Sequence, residues 1–170
     1  DNWNQGDPEY TVAVNAANLA ATDYPGHTFV GFLWHQGEGD RTNLTDSEYQ
    51  VVQDQFISDI RTDVTDASST TPFVVGEISD DSYPLSRREV ITDTPDRVAY
   101  TGAVFTSDLV TSDNVHFDAP SLRTMGSRYV VALAEAVLNA PEVPETPAAP
   151  SVTAGNAQIT VDMTAPASKG

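Results

Sequence analysis

The stretch TFVGFLWHQGEGD, Thr28–Asp40, decides the fold. Its first half, Thr28 to Trp34, is a short run of apolar, aromatic and β-branched residues. Such a run predicts a strand buried in a sheet rather than one exposed on a face. At His35 it breaks into His-Gln-Gly-Glu-Gly-Asp, six residues that offer donors, acceptors or bare backbone. In a parallel α/β sheet the loops beyond the carboxyl ends of strands are where ligands bind.

Upstream, Asp7–Asp23 carries Tyr10, Val14, Ala17 and Ala21 at helical spacing, with Pro8 early in the first turn. The YPGH segment then makes a turn. Downstream, Thr45-Asp46-Ser47-Glu48 reads as a capping box with Thr45 as N-cap. Tyr49, Val52, Phe56, Ile60 and Val64 follow at steps of three and four, which predicts an amphipathic helix. TPFVVGEI, Thr71–Ile78, predicts a second buried strand, and YTGAVFTSDL, Tyr100–Leu109, a third. Residues 79–98 are polar and show no dominant period. Leu122–Asn139 predicts a last helix whose apolar face includes Met125, Tyr129, Ala132 and Val137. Strands alternating with helices predict an α/β protein with a parallel sheet in three layers.

The 170 residues suffice for one domain with a core and a short remainder. After Asn139, APEVPETPAAP is Pro-rich and linker-like over residues 140–150. Residues 151–170 hold a turn and the alternating run Gln158–Asp162. That piece resembles the opening strands of a fibronectin type III module, cut short, and its length predicts little order on its own. The chain opens at Asp1 without a Met, in mid-pattern, so a fragment is expected.

Net charge is -17, from 25 acidic and 8 basic residues, with Lys169 the only lysine. Such a field repels nucleic acid and anionic membrane surfaces, and neither is expected as a partner. No apolar run approaches the roughly 20 residues of a membrane span. The absence of cysteine excludes disulfides, thiol catalysis and thiolate metal sites.

Two loops follow predicted strand ends with unusual polar density, 35–40 and 111–118. The second contains Asp113-Asn114-Val115-His116. An Asp three residues before a His can fold back on one imidazole nitrogen, fixing the tautomer and leaving the other nitrogen as a general base. In the first loop Gln36 can donate to an oxyanion, Gly37 permits close approach of substrate or backbone, and Glu38 can orient His116 or tie down its own loop. His35 is a candidate substrate contact. A metal set of His35, Glu38, Asp40 and His116 is an alternative, although its spacing is not that of a helical zinc motif. A plain polar turn around a core Trp34 is another. Arg87-Arg88 is the sole basic pair and reads as surface ion pairing, with a substrate carboxylate as the other reading. Ser47, Ser79 and Ser107 lack the glycine support of a nucleophile elbow.

WHQGEGD, then DNVHFD far downstream and a helix containing MGSRYVVAL, resembles the carbohydrate O-acetylesterases of the SGNH-hydrolase superfamily over about residues 8–139. The similarity is to the sialate O-acetylesterase-like enzymes and to the sixth carbohydrate-esterase family, which includes acetylxylan esterases. It implies an SGNH-type, flavodoxin-like α/β/α sheet, incomplete at its N-terminus, and a partial esterase domain over 1–139. It implies His116 as catalytic base, Gln36 as oxyanion-hole donor, and Asp113 or Glu38 as the acidic partner. No metal or cofactor is implied, and an acetylated carbohydrate is the expected substrate. Gly39 replaces the family's usual Ser. The family's nucleophilic Ser, in a Gly-Gln-Ser-Asn block, has no counterpart here, so the chain alone is expected to be inactive. A secreted or periplasmic bacterial enzyme is the implied setting, and a degenerate, non-catalytic carbohydrate-binding module the alternative.

Overall fold

The computed structural model describes residues 3–40, 43–81, 83–140, 151–155 and 158–162. The chain divides into two units, Asp1–Ala140 and Pro141–Gly170. In the first, helix α1 (Pro8–Asp23) leads to strand β1 (Phe32–Trp34) and a single 3-10 turn, Glu38–Asp40. Helix α2 (Asp46–Asp63), strand β2 (Phe73–Gly76), helices α3 (Leu85–Thr92) and α4 (Thr94–Arg97), strand β3 (Thr101–Val104) and helix α5 (Ala119–Leu138) follow.

The three strands form one parallel sheet in the order β1-β2-β3, with Phe32 opposite Phe73 and Val75 opposite Ala103. All four residues of the central β2 are buried. This is why its sequence is a continuous apolar run: both of its faces are covered. Phe73 and Val75 pack with Tyr10 and Val14 of α1 and with Phe56, Ile57 and Ile60 of α2. Val74 instead joins Val104 of β3 and Met125, Tyr129, Ala132 and Ala136 of α5. The domain is therefore α/β, its parallel sheet sandwiched between helical layers, the architecture expected of an SGNH-type fold.

Capping fixes the entry of two helices. Thr45 accepts the N–H of Glu48 while the Glu48 carboxylate takes the N–H of Thr45, completing the box read from the sequence. Asp118 accepts the N–H of Ser121, so α5 begins at Ala119, three residues before the Leu122 expected. On α5 the buried face continues to Ala136, and Val137 is exposed. The steps 125, 129, 132 and 136 keep one face, and Val137 lies about 100° away from it.

The strands are shorter than read. Gly31 sits at φ +152, and a Cβ there would lie 2.7 Å from the Pro72 carbonyl oxygen and 2.8 Å from Leu133. Pairing with β2 starts only after this close approach. Residues 79–98, left without a prediction, hold α3 and α4. Arg87-Arg88 is not a surface pair: Arg87 is 3% exposed, and Arg88 is paired with the buried Glu77. At the other end of the sheet, buried Arg61 donates to the carbonyls of Thr71 and Tyr100, tying the end of α2 to the entries of β2 and β3. The Tyr129 hydroxyl of α5 donates to the Trp34 carbonyl at 2.9 Å, joining the helix to the end of β1.

In the second unit Ser151–Gly155 (β4) and Gln158–Asp162 (β5) pair antiparallel. This hairpin stands where little order was expected. The linker residues 141–150 and the segment 163–170 lie outside the described residues.

Candidate active site

The polar loop after β1 is held from three elements. Gly37, at φ +141, turns the chain. The Tyr49 hydroxyl of α2 donates to the Gln36 carbonyl at 2.9 Å, and the Tyr83 hydroxyl donates to the Glu38 carbonyl at 3.0 Å. The Arg87 guanidinium lies 4.6 Å over the Tyr49 ring. It donates to the Leu44 carbonyl at 2.6 Å and forms an ion pair with Asp46 at 2.8 Å. Gly37, read as permitting close approach of substrate or backbone, is buried, with the Tyr49 hydroxyl oxygen 3.0 Å from where a Cβ would stand and Ile91 and Ile78 close behind.

Within the loop, His35 Nε2 and Glu38 Oε1 are 3.0 Å apart. The His35 ring packs edge-on against Phe117, with centroids 5.9 Å apart, so the first loop touches the second. Gly76, the last residue of β2, makes room for this ring: a Cβ there would fall 2.5 Å from His35 Nδ1 and 2.1 Å from the Tyr129 hydroxyl. Burial pushes the Glu38 carboxyl up. The His35 hydrogen bond and charge, its own backbone N–H and the His116 charge outweigh that and hold it below the ordinary carboxylate value.

Gln36 turns elsewhere. Its Nε2 donates to Asp40 Oδ2 at 2.8 Å beside Trp34, Trp3 and Phe56. Asp40, named in the sequence only as a possible metal ligand, is 2% exposed. Among the described residues no three His, Asp or Glu side chains converge as a metal site, so the set His35, Glu38, Asp40 and His116 is not assembled.

The second loop is built almost entirely from its own bonds. Thr111 and Phe117 form an isolated antiparallel bridge, and the Ser112 N–H donates to the His116 carbonyl at 2.8 Å. Asn114 adopts φ +68, a left-handed conformation that Asn tolerates better than most residues. This turn brings the Asp113 carboxylate back on the chain. Its Oδ1 accepts the N–H groups of Val115 and His116 at 3.1 and 2.7 Å, and its Oδ2 meets His116 Nδ1 at 2.7 Å.

The backbone N–H of His116, then its imidazole and the Val115 N–H, hold the Asp113 carboxyl down at about 2. In return the hydrogen bond and charge of Asp113 raise the His116 imidazole above its ordinary 6.5, with a smaller push from Glu38. An ionised carboxylate only accepts, so in the neutral ring Nδ1 carries the proton and Nε2 presents its lone pair. The His116 side chain is 76% exposed.

Glu38 and His116 lie near enough for each to feel the other's charge. Of the two candidate acids, Asp113 contacts His116 and Glu38 contacts His35. No described serine hydroxyl is bonded to His116 Nε2. Ser112 donates to the His116 carbonyl, and Ser79, 1% exposed, donates to the Asn114 carbonyl. The anchors Tyr49 and Tyr83 had no motif to announce them.

The parallel sheet thus carries two polar loops at its carboxyl edge, one of them holding an Asp–His pair. Residues 1–135 match the family model "SASA: Carbohydrate esterase, sialic acid-specific acetylesterase", and the chain belongs to that family. Among solved structures it is similar to a protein from Arabidopsis thaliana determined by X-ray crystallography at 1.6 Å resolution. The TM-score is 0.64 at 23% identity, over 80% of this chain and 54% of that one. At this identity the likeness shows the fold, and the chain spans about half the length of that protein. No curated protein matches the chain. Among the described residues no helix is long and apolar enough to cross a membrane.

Proposed function

We propose that the chain carries the base and acid of a serine esterase site that removes O-acetyl groups from carbohydrate. The observation that carries this reading is the Asp113–His116 pair, with Nδ1 committed to the carboxylate and Nε2 left open at the strand ends. In the reaction a serine Oγ attacks the acetyl carbonyl carbon and His116 Nε2 takes its proton. Asp113 holds the ring and stabilises the imidazolium. The carbonyl oxygen becomes an oxyanion, for which the Gln36 amide is a donor. On collapse His116 returns the proton to the departing sugar oxygen, leaving an acetyl-serine. Water, deprotonated by His116, then releases acetate. Glu38 adds negative charge near the imidazolium and keeps His35 in place.

None of the described serines fills the attacking position, and the family's Gly-Gln-Ser-Asn block has no match in the sequence. The serine in this reading comes from polypeptide that the 170 residues do not include. Acetate release from O-acetylated sialic acid and from acetylated xylan fragments tests it. The 170-residue chain by itself should release none, and the protein that includes the serine segment should release it. His116→Ala in that protein should lower kcat/KM by about 10²–10⁴-fold, the range for loss of a general base. An unchanged rate on both substrates would remove His116 from the mechanism, and no acetate from either would favour a binding module.

A further inference from the structure

Asp40 is a buried carboxylate whose two oxygens are used unequally. Oδ2 accepts the Gln36 amide at 2.8 Å, whereas Oδ1 has no hydrogen-bond partner among the described residues. Gln53 Oε1, also buried and without a partner, lines the same small cavity beside Trp34. No described cation forms an ion pair with Asp40. Burying a carboxylate on these terms is unfavourable, and an apolar residue of the same shape would suit folding better.

What a carboxylate supplies here is polarity of one sign. An amide side chain can turn over and present either its oxygen or its NH2 group, but an ionised carboxylate accepts only NH2. The Tyr49 hydroxyl holds the backbone carbonyl of Gln36, and Asp40 holds its side-chain amide. One amide hydrogen is held by Asp40. We infer that Asp40 is a positioning residue that fixes which way the Gln36 side-chain amide turns; this rests on the esterase reading above, in which that amide is the oxyanion donor.

The test compares Asp40→Leu, which keeps the shape and removes the acceptor, with Asp40→Asn, whose carbonyl can still accept. In the 170-residue chain the Gln36 side-chain amide signals are identified by their loss in Gln36→Ala. They should be protected from hydrogen exchange in the wild type and in Asp40→Asn, and lose that protection in Asp40→Leu. In the protein that includes the serine, Asp40→Leu should lower kcat about tenfold or more with KM within about twofold, as expected when one donor is misplaced. Asp40→Asn should restore most of it, and Asp40→Leu should add nothing in a Gln36→Ala background. Should Asp40→Leu not fold, Asp40→Ala removes the acceptor with less bulk. Unchanged Gln36 exchange on loss of the acceptor, or a loss fully additive with Gln36→Ala, would overturn the inference. If the wild type releases no acetate, the esterase reading falls, and the exchange measurement still decides whether Asp40 fixes Gln36.

Discussion

The two loops at the strand ends are built on opposite plans. Loop 35–40 is sunk into the domain, with Gly37 and Asp40 buried and its carbonyls held by Tyr49 of α2, Arg87 of α3 and Tyr83 just before α3. Loop 111–118 is more exposed, and most bonds that shape it span four residues or fewer, apart from the Thr111–Phe117 bridge, the Ser79 hydroxyl on the Asn114 carbonyl and contacts at its margins. The first is rigid because the fold is rigid. The second is rigid because Asp113 closes on its own backbone. A site divided this way separates donors set by the core from a base free to meet substrate.

That contrast predicts where damage should fall. Arg87→Met should have the largest effect on folding, because the carbonyls of Leu44 and Asp40 lose their donor and Asp46 loses its partner. A loss of about 2–4 kcal/mol in urea unfolding is expected, short of a fully buried pair because Asp46 is partly solvated. A loss below about 0.5 kcal/mol would mean that the first loop does not depend on α3. Gly76→Ala comes next, at about 1–3 kcal/mol, since its Cβ overlaps the Tyr129 hydroxyl and His35. The His35 ring signals should shift in the same variant, and unshifted signals would show that the ring does not rest on Gly76.

In the exposed loop the effects shrink. Asn114→Val puts a β-branched residue at φ +68 and should cost about 1–2 kcal/mol, with Asn114→Gly close to neutral. Equal stability of the two would argue against the left-handed turn. The smallest effect on folding and the clearest on titration belong to Asp113→Asn. With Asp113 at about 2 against an ordinary 3.8, its contribution is complete above 3.8 and is lost as pH falls toward 2. His116, raised above 6.5, contributes fully below 6.5 and loses that contribution as pH rises through its folded value. Asp113→Asn should therefore lower the His116 midpoint toward 6.5 in an NMR titration, and a midpoint that stays high would assign the shift to Glu38.

The sequence disclosed whatever short-range rules write. The capping box at Thr45, the buried run of β2 and the Asp-x-x-His turn each follow from residues a few positions apart, and each appears in the fold. Helix α3 escaped because its buried residues are only Arg87 and Ile91, with a cation where a periodicity search expects an apolar side chain. The clamp on the first loop escaped for a different reason. Tyr83 reaches Glu38 across 45 positions and Arg87 reaches Asp46 across 41, so nothing local marks them. Gln36 was legible as a donor, but its commitment to Asp40 needed coordinates, because spacing does not say which way an amide turns.

One tyrosine gives the second loop a fixed distance from the first. Helix α5 starts at the cap two residues after His116, and its Tyr129, eleven residues on and about 16 Å along the axis, is fastened to the carbonyl just before His35. The first half of the helix thus works as a spacer bar, its start at one half of the site and its middle fastened to the other. Sliding it by a single residue, about 1.5 Å, would swing the phenol about 100° off its anchor. Alignment between base and donor is then indexed in whole helical steps, and small drifts are resisted by a bond that lies outside both loops.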